Sequence, residues 1–321
     1  MRTVGVEEEL LLVDPDSGDP KALAAPVLAR ADRDDPGQQV FEKELFGQML
    51  EFATHPQSDM ADLGDEIVRC RKEAARHAGQ IGCAVAALAT SPLPVSPSLT
   101  VNERYQWLSE RYGIGTRDQL VCGCHVHVSV ESDEEGVAVL DRLRPWLPVL
   151  TAISANSPFW QGHDSGYESY RSRVWSRWPS AGPTELFGSP ELYHRRVADM
   201  VGTGVILDEA MVYFDARLSA RYPDHSVSLL RLASWQAARS GLEEKLLDPV
   251  SLRPRPAARV LYSLLDTVGD ALDACGDTDR AEKGVEDLLR HGNGAREQRR
   301  IMEGGGTLRD VVTECVRHTQ G

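Results

Sequence analysis

The feature that most constrains the fold is a run of three carboxylates inside an aliphatic stretch, VGVEEELLLVD, from Val4 to Asp14. We predict a strand over residues 3–13, in which Glu7 and Glu9 share one face while Glu8 interrupts the aliphatic face. Two carboxylates on one face repel each other unless a positive group lies between them. A divalent cation such as Mg²⁺ is one such group. A solvated edge strand with a charged outer face is the alternative.

A second set of carboxylates lies in FEKELFGQMLEFATHP, where Glu42 and Glu44 precede Glu51. The composition of GQMLEFAT favours a strand, in which Glu51 points away from Leu50 and Phe52. Glu51 would then face the same kind of polar surface as the first strand. An amphipathic helix with these glutamates on its solvated side is the competing interpretation.

The stretch QLVCGCHVHVSV, residues 119–130, alternates with a period of two. This pattern predicts a strand with Cys124, Val126 and Val128 on a core face and with His125 and His127 on a polar face. Two imidazoles on one face of a strand suit metal ions. A metal-dependent hydrolase is one such possibility, although the other histidines show no matching strand placement. A pair of hydrogen-bonded sheet histidines is another.

Arginines cluster with tyrosines and tryptophans in the segment 156–183, although the chain as a whole is acidic. The arginines of this cluster are Arg171, Arg173 and Arg177. Guanidinium groups bind carboxylates and phosphates in a forked geometry. A surface loop held by arginine–aromatic stacking is the alternative.

Composition excludes several classes of protein. The net charge of −14 argues against a general binder of nucleic acid or anionic membranes. No apolar run approaches the roughly 20 residues of a membrane-spanning helix, and the N-terminus lacks the features of a secretory leader. We therefore expect a cytoplasmic protein. Strands in the first half, a helix from about residue 58 to 79 and a mostly helical last hundred residues indicate an α+β architecture.

The order of several motifs resembles the type 2 glutamate–cysteine ligase family, the carboxylate–amine ligases. The motifs are GVEEE at 5–9, MLEF at 49–52, CGCHVHV at 122–128, SANSPFW at 154–160 and TGVILDEAMVYFDARLSARYP at 203–223, with LLRLASWQAARSGLE and HGNGAREQR further on. The resemblance implies a glutamine-synthetase-like fold, in which a curved, mainly antiparallel sheet has helices packed on one side. It also implies a single catalytic domain over residues 1–321, mostly helical from about residue 229.

The resemblance further implies ATP and Mg²⁺ as cofactors, with a glutamate-like carboxylate and a cysteine-like amine as substrates, and a homodimer. The family reaction forms an amide through an acyl phosphate, with weak glutamate–cysteine ligase activity. The matching metal ligands are Glu7, Glu9, Glu44, Glu51 and His125. The matching catalytic residues are Glu51, His125 and Arg171, and those near ATP are His125 and Arg177. His127 is placed as a residue supporting the metal site.

One part of the family pattern is absent from the sequence. After Pro223 the family continues into a strand of the form Val-Glu-Val-Arg and then a helix, whereas this chain runs directly through Asp224 to Ser228 into Leu229. The natural chain has lost the strand, or another element replaces it, or the sequence is shortened relative to the natural one. We favour the third explanation, because losing a central strand leaves unpaired backbone groups. A catalytically inert amino-acid or nucleotide binder of the same fold is therefore the alternative function.

Overall fold

A computed structural model describes residues 2–34, 36–37, 40–183, 186–212, 214–215 and 226–320. The strands are β1 (Val4–Val13), β2 (Phe41–Lys43), β3 (Met49–Ala53), β4 (Ala84–Ala86), β5 (Cys124–Val128), β6 (Phe159–Trp160), β7 (His163–Asp164), β8 (Gly182–Pro183), β9 (Phe214–Asp215), β10 (Lys245–Asp248) and β11 (Arg253–Pro256). The helices are α1 (Ala24–Asp34), α2 (Met60–Gln80), α3 (Glu103–Tyr112), α4 (Ile114–Arg117), α5 (Asp133–Leu143), α6 (Leu147–Ile153), α7 (Tyr170–Trp175), α8 (Pro190–Gly202), α9 (Val227–Ser240), α10 (Ala257–Cys275), α11 (Thr278–His291), α12 (Gly294–Glu303) and α13 (Leu308–Gln320). The residues on either side of Pro223, where the family strand is expected, lie outside the described residues.

The chain divides into two compact units, and each is discontinuous in sequence. The first comprises Met1–Val130, Phe159–Ser165 and Arg300–Gly321, and the second comprises Glu131–Pro158 and Gly166–Arg299. A single catalytic domain over residues 1–321 stays a prediction. No helix within the described ranges combines the length and the apolar character needed to cross a bilayer.

The first unit is built on a five-stranded sheet with β1 at its centre. Strand β3 pairs with one edge of β1, while β4 and β5 pair with successive halves of the other edge, and β2 extends the sheet beyond β3. All of these pairings are antiparallel. The strand predicted over residues 3–13 is therefore confirmed, as is the combination of helices with an antiparallel sheet.

One face of this sheet is apolar and packs against α1 and α2. Leu10 and Leu12 of β1 join Leu50 and Phe52 of β3 in a single buried cluster, to which α2 contributes Cys70 and other small residues. Burying each leucine or phenylalanine side chain contributes about 1.5–3 kcal/mol. This packing fixes the register of the sheet, since a slip of one residue would move every leucine to the opposite face.

The carboxylate that interrupts the apolar face is held by an arginine from the helix above it. Glu8 is buried, and its two oxygens accept hydrogen bonds from Nε and Nη2 of Arg71 on α2, at 2.7 and 2.6 Å. A forked, charge-assisted pair of this kind is among the strongest side-chain interactions. The pair therefore accounts for a charge on the apolar side of β1.

The predicted core face of β5 is wrong for Cys124, Val126 and Val128, because all three side chains are exposed. Val126 and Val128 are 64% and 50% exposed, although Val6, the β1 residue opposite Val126, is buried. The physical reason is that the buried cluster formed by α1 and α2 on this face takes in residues of β1, β3 and β4 and none of β5. Alternation predicted which residues share a face, but it contained no information on whether that face is covered.

The second unit is mainly helical and has its own core around Trp146, Val149 and Val260. Polar residues near the C-terminus tie this unit together. Arg299 donates a hydrogen bond from Nε to Oε1 of Glu168 at 2.6 Å, and Gln298 donates to Oδ1 of Asn156 at 2.7 Å. The HGNGAREQR motif thus joins distant segments of this unit through side-chain hydrogen bonds.

Candidate functional site

Carboxylates cover the polar face of the sheet in the first unit. Glu9 of β1 lies opposite Glu51 of β3, which in turn lies opposite Glu42 of β2. Glu7 shares this face because it is two residues from Glu9 on the same strand. The alternation predicted from the sequence therefore brings carboxylates from three adjacent strands onto one surface.

The strongest electrostatic effect on this surface is at Glu51. Burial of its carboxyl, the hydrogen bond to Glu44 and the negative charges of Glu44, Glu9 and Glu7 together raise the pKa of Glu51 to about 9. In a hydrogen bond between two carboxyl groups, one of them carries the proton. The shared proton reduces the repulsion between the carboxyl groups of Glu51 and Glu44. A divalent cation bound between them would compensate the same negative charge.

This shift gives a pH dependence that can be measured on the metal-free protein. Because the pKa of Glu51 is raised in the folded state, the folded chain holds a proton that the unfolded chain has released above pH 4.5. The resulting stability is fully present below pH 4.5 and is lost as the pH rises toward 9. We expect the midpoint of thermal unfolding in EDTA to fall over this range in the wild type, and to fall less in Glu51→Gln. Parallel curves for the two proteins would contradict the assignment.

A second group of ligand atoms lies on the same face, at the end of β1 next to β5. Oε2 of Glu7 lies 3.4 Å from Nδ1 of His125 and 3.0 Å from Nε2 of His127. The ligand atoms of these three residues all lie within 4.8 Å of one another, a spacing that a single metal ion can bridge. Imidazole and carboxylate together suit Mn²⁺, Fe²⁺ or Zn²⁺, whereas oxygen ligands suit Mg²⁺.

Two further groups of this site were not identified from the sequence. The backbone N–H of Gly123 donates a hydrogen bond to Oε2 of Glu9 at 2.5 Å, which fixes that carboxylate. Tyr105 of α3 donates from its hydroxyl to the carbonyl oxygen of Lys43, and burial, followed by the charges of Glu44 and Glu51, raises the pKa of that hydroxyl. Nothing in the sequence pattern of α3 distinguishes Tyr105 from an ordinary residue of an amphipathic helix.

The structure thus places all five predicted metal ligands on the sheet of the first unit or at its border. Glu7, Glu9 and Glu51 lie on β1 and β3, His125 lies on β5, and Glu44 follows β2 and hydrogen-bonds to Glu51. The donor set fits divalent cations, because it combines several carboxylates with one or two imidazoles. The role of these residues as metal ligands stays a prediction.

The predicted arginines belong to the second unit. Arg171 lies on α7, and its guanidinium carbon is 5.0 Å from the ring centroid of Trp175. It lines a cavity of about 610 Å³ together with Arg173, Arg231 and Trp235, whereas Arg177 is exposed and is not among the lining residues. The cavity combines positive charge with aromatic surface. The roles of Arg171 and Arg177 stay predictions.

The fold is that of a group of ligases with solved structures. The chain matches a bifunctional glutathione synthetase from Pasteurella multocida with a TM-score of 0.70 and 16% identity, over 99% of this chain and 52% of that one. It matches a glutamate–cysteine ligase from Francisella tularensis, solved in complex with AMP, with a TM-score of 0.65 and 11% identity, over 100% and 89%. At these identities the comparison establishes the shared fold.

Sequence comparison identifies the family. The family model described as glutamate-cysteine ligase family 2 matches residues 3–228 and 221–315. A Streptomyces avermitilis protein that carries the name glutamate–cysteine ligase 2-1 as a provisional assignment is 66% identical over all of both chains, and a Streptomyces coelicolor protein with a similar provisional name is 62% identical over 100% of this chain and 99% of its own. The chain therefore belongs to the glutamate–cysteine ligase family 2, and the predicted resemblance is confirmed.

The same comparisons indicate that this chain lacks residues which its relatives carry. The alignment with the S. avermitilis protein runs over 362 positions, which is 41 more than the 321 residues of this chain. The two stretches that match the family model meet at residues 221–228. Both observations agree with the absence of the family's strand and helix after Pro223.

Proposed function

We propose that this protein is an ATP- and Mg²⁺-dependent ligase that joins a carboxylate to an amine, with glutamate and cysteine as the substrates that its family membership favours. The observation that carries the proposal is the surface on which Glu9, Glu51 and Glu42 of three adjacent strands lie side by side. Membership in the glutamate–cysteine ligase family 2 supports the joining of a carboxylate to an amine as the reaction type. The shared fold with a ligase solved in complex with AMP supports the use of ATP.

The residues have distinct proposed roles in this reaction. Glu7, Glu9, Glu44, Glu51 and His125 would hold Mg²⁺, which when bound neutralises phosphate charge and orients the phosphates. Glu9 is held in place by the N–H of Gly123, and Glu51 is held by Glu44. Arg171 is assigned to the carboxylate of the substrate, and Arg177 to ATP.

The chemistry follows from the low reactivity of a carboxylate. Its carbon is a poor electrophile, so we propose that one carboxylate oxygen first attacks the terminal phosphorus of ATP, which gives an acyl phosphate and ADP. The neutral amine of the second substrate then attacks the acyl carbon, a proton leaves the nitrogen, and inorganic phosphate departs. Positively charged groups such as Arg171 would stabilise the negative charge that develops on oxygen.

The first test measures phosphate release from ATP and Mg²⁺ by the purified chain, with glutamate alone and with glutamate plus cysteine. We expect release that requires both amino acids, accompanied by one equivalent of γ-glutamylcysteine in the product mixture. Release that is equal without amino acids would indicate a simple ATPase. Absence of release from a folded chain that still binds ATP would contradict the proposal.

Two other functions are favoured by particular observations. The alignment with the S. avermitilis protein, which has 41 positions more than this chain has residues, favours an inert binder, which would bind ATP or an amino acid without turnover. The cluster of Glu7, His125 and His127 favours a metal-dependent hydrolase. A hydrolase would require a transition metal and no ATP, so metal substitution in the same assay separates it from a ligase.

A further inference from the structure

Two imidazoles of β5 converge on one carboxylate oxygen of β1. Oε2 of Glu7 lies 3.4 Å from Nδ1 of His125 and 3.0 Å from Nε2 of His127. In the register of the sheet, Glu7 lies opposite His125, and Gly5 lies opposite His127. Because Gly5 has no side chain, the ring of His127 has room to lean toward Glu7. His127, to which the family resemblance gave only a supporting role, is therefore the histidine closer to the carboxylate.

The spacing of these three side chains fits the ligands of one zinc ion. Tetrahedral Zn²⁺ lies about 2.0–2.2 Å from nitrogen and oxygen ligands, so two of its ligands lie roughly 3.3–3.5 Å apart. The distances from Glu7 to the two imidazoles, 3.4 and 3.0 Å, are close to this value, and all three ligand atoms lie within 4.8 Å of one another. The side chains of His125 and His127 are 46% and 59% exposed. Their rings can therefore turn toward an ion without repacking the core.

The other ligand groups on this face offer oxygen alone. Glu9 accepts a hydrogen bond from the N–H of Gly123, and Glu51 shares a hydrogen bond with Glu44. Oxygen ligands suit Mg²⁺, whereas imidazole nitrogen raises the affinity for Zn²⁺. Within the described ranges, the group at the β5 end is also the single set of three such residues whose ligand atoms lie this close. The face therefore offers two cation positions of different chemistry.

We propose that Glu7, His125 and His127 bind Zn²⁺ directly, in a site with three protein ligands and one open position, and that this ion inhibits the Mg²⁺-dependent reaction. Inhibition follows because Glu7 and His125 are two of the proposed Mg²⁺ ligands, and a bound Zn²⁺ withdraws them from that role. The inhibitory effect rests on the proposed ligase function, whereas the zinc site does not. His127 is a direct ligand in this assignment.

The first test measures Zn²⁺ binding to the full chain by titration calorimetry, without nucleotide. We expect one strong site, weakened by about a hundredfold or more in His127→Gln, because loss of a residue that merely supports a ligand already costs about 10–100-fold. His163→Gln is the matched control, since His163 is an exposed histidine of β7 in the same unit. Equal binding by the two variants would overturn the site, as would no binding by the folded wild type.

Co²⁺ as a spectroscopic probe identifies the ligands. Cys124 and Cys275 have exposed thiols, which compete for metal as thiolates. We expect the visible absorption of four-coordinate Co²⁺ without a thiolate charge-transfer band, unchanged in Cys124→Ser and lost in His127→Gln. A thiolate band would overturn the assignment. An unchanged visible spectrum in His127→Gln would also overturn it, because His127 would then only support the other ligands.

Phosphate release by the wild type tests the inhibitory effect. At saturating Mg²⁺, ATP and both amino acids, we expect Zn²⁺ to reduce the release by about tenfold or more, in step with the occupancy measured by calorimetry, and a zinc-selective chelator to restore it. Unchanged release at full occupancy would overturn the inhibitory effect. Zn²⁺ binding by a chain that never shows amino-acid-dependent release would support the zinc site, but it would overturn the ligase function together with the inhibition.

Discussion

Replacing Arg71 with alanine is expected to lower the free energy of unfolding by about 3–5 kcal/mol, because it leaves the buried Glu8 carboxylate without its partner. Glu8 is 6% exposed and receives both of its short hydrogen bonds from Arg71. The effect is measured by urea denaturation at pH 7, monitored by circular dichroism. It does not depend on any assumption about the function.

Two controls make this expectation specific. Arg76→Ala removes a more exposed arginine of the same helix, paired with Asp34, and is expected to cost about 0–1 kcal/mol. Glu8→Leu combined with Arg71→Met replaces the pair by apolar groups and is expected to recover most of the lost stability. If Arg71→Ala cost no more than Arg76→Ala, the ion pair would contribute little to the sheet.

Replacing Glu51 with glutamine is expected to reduce amino-acid-dependent phosphate release by about a hundredfold or more, because several kcal/mol of charge stabilisation depend on the cation that Glu51 would help to hold. Glutamine has nearly the same shape as the protonated acid, which is the form that the raised pKa of Glu51 favours at pH 7. The variant should therefore fold normally. The assay is phosphate release at saturating ATP and both amino acids, with the Mg²⁺ concentration varied.

The matched control is Glu110→Gln, which removes an exposed carboxylate of α3 and is expected to retain full activity. A Glu51→Gln variant with normal activity and an unchanged Mg²⁺ dependence would remove Glu51 from the proposed metal site. A variant that lost activity through unfolding would be recognised by its thermal midpoint, which we expect to equal or exceed that of the wild type at pH 8.

Much of this surface could be predicted from the sequence because a strand has a fixed period of two. That period placed Glu7 with Glu9 and His125 with His127, and the helix expected from about residue 58 to 79 is α2, Met60–Gln80. The role of Glu8 could not be predicted, since its partner Arg71 is 63 residues away and only the fold brings the two together. The exposure of Val126 was missed because a local pattern does not report which part of a sheet the helices cover.

The last helix of the chain packs against the sheet of the first unit, and this has a consequence for the order in which the chain folds during synthesis. Helix α13 packs against β4 and α2, and the hydroxyl of Thr319 accepts a hydrogen bond from the N–H of Ala87 at 2.9 Å. A ribosome adding about 5–20 residues per second needs roughly 10 to 50 s to travel from residue 87 to residue 319. The nascent chain therefore keeps the surface that receives α13 uncovered throughout that interval. The N-terminal unit, although translated first, is finished last.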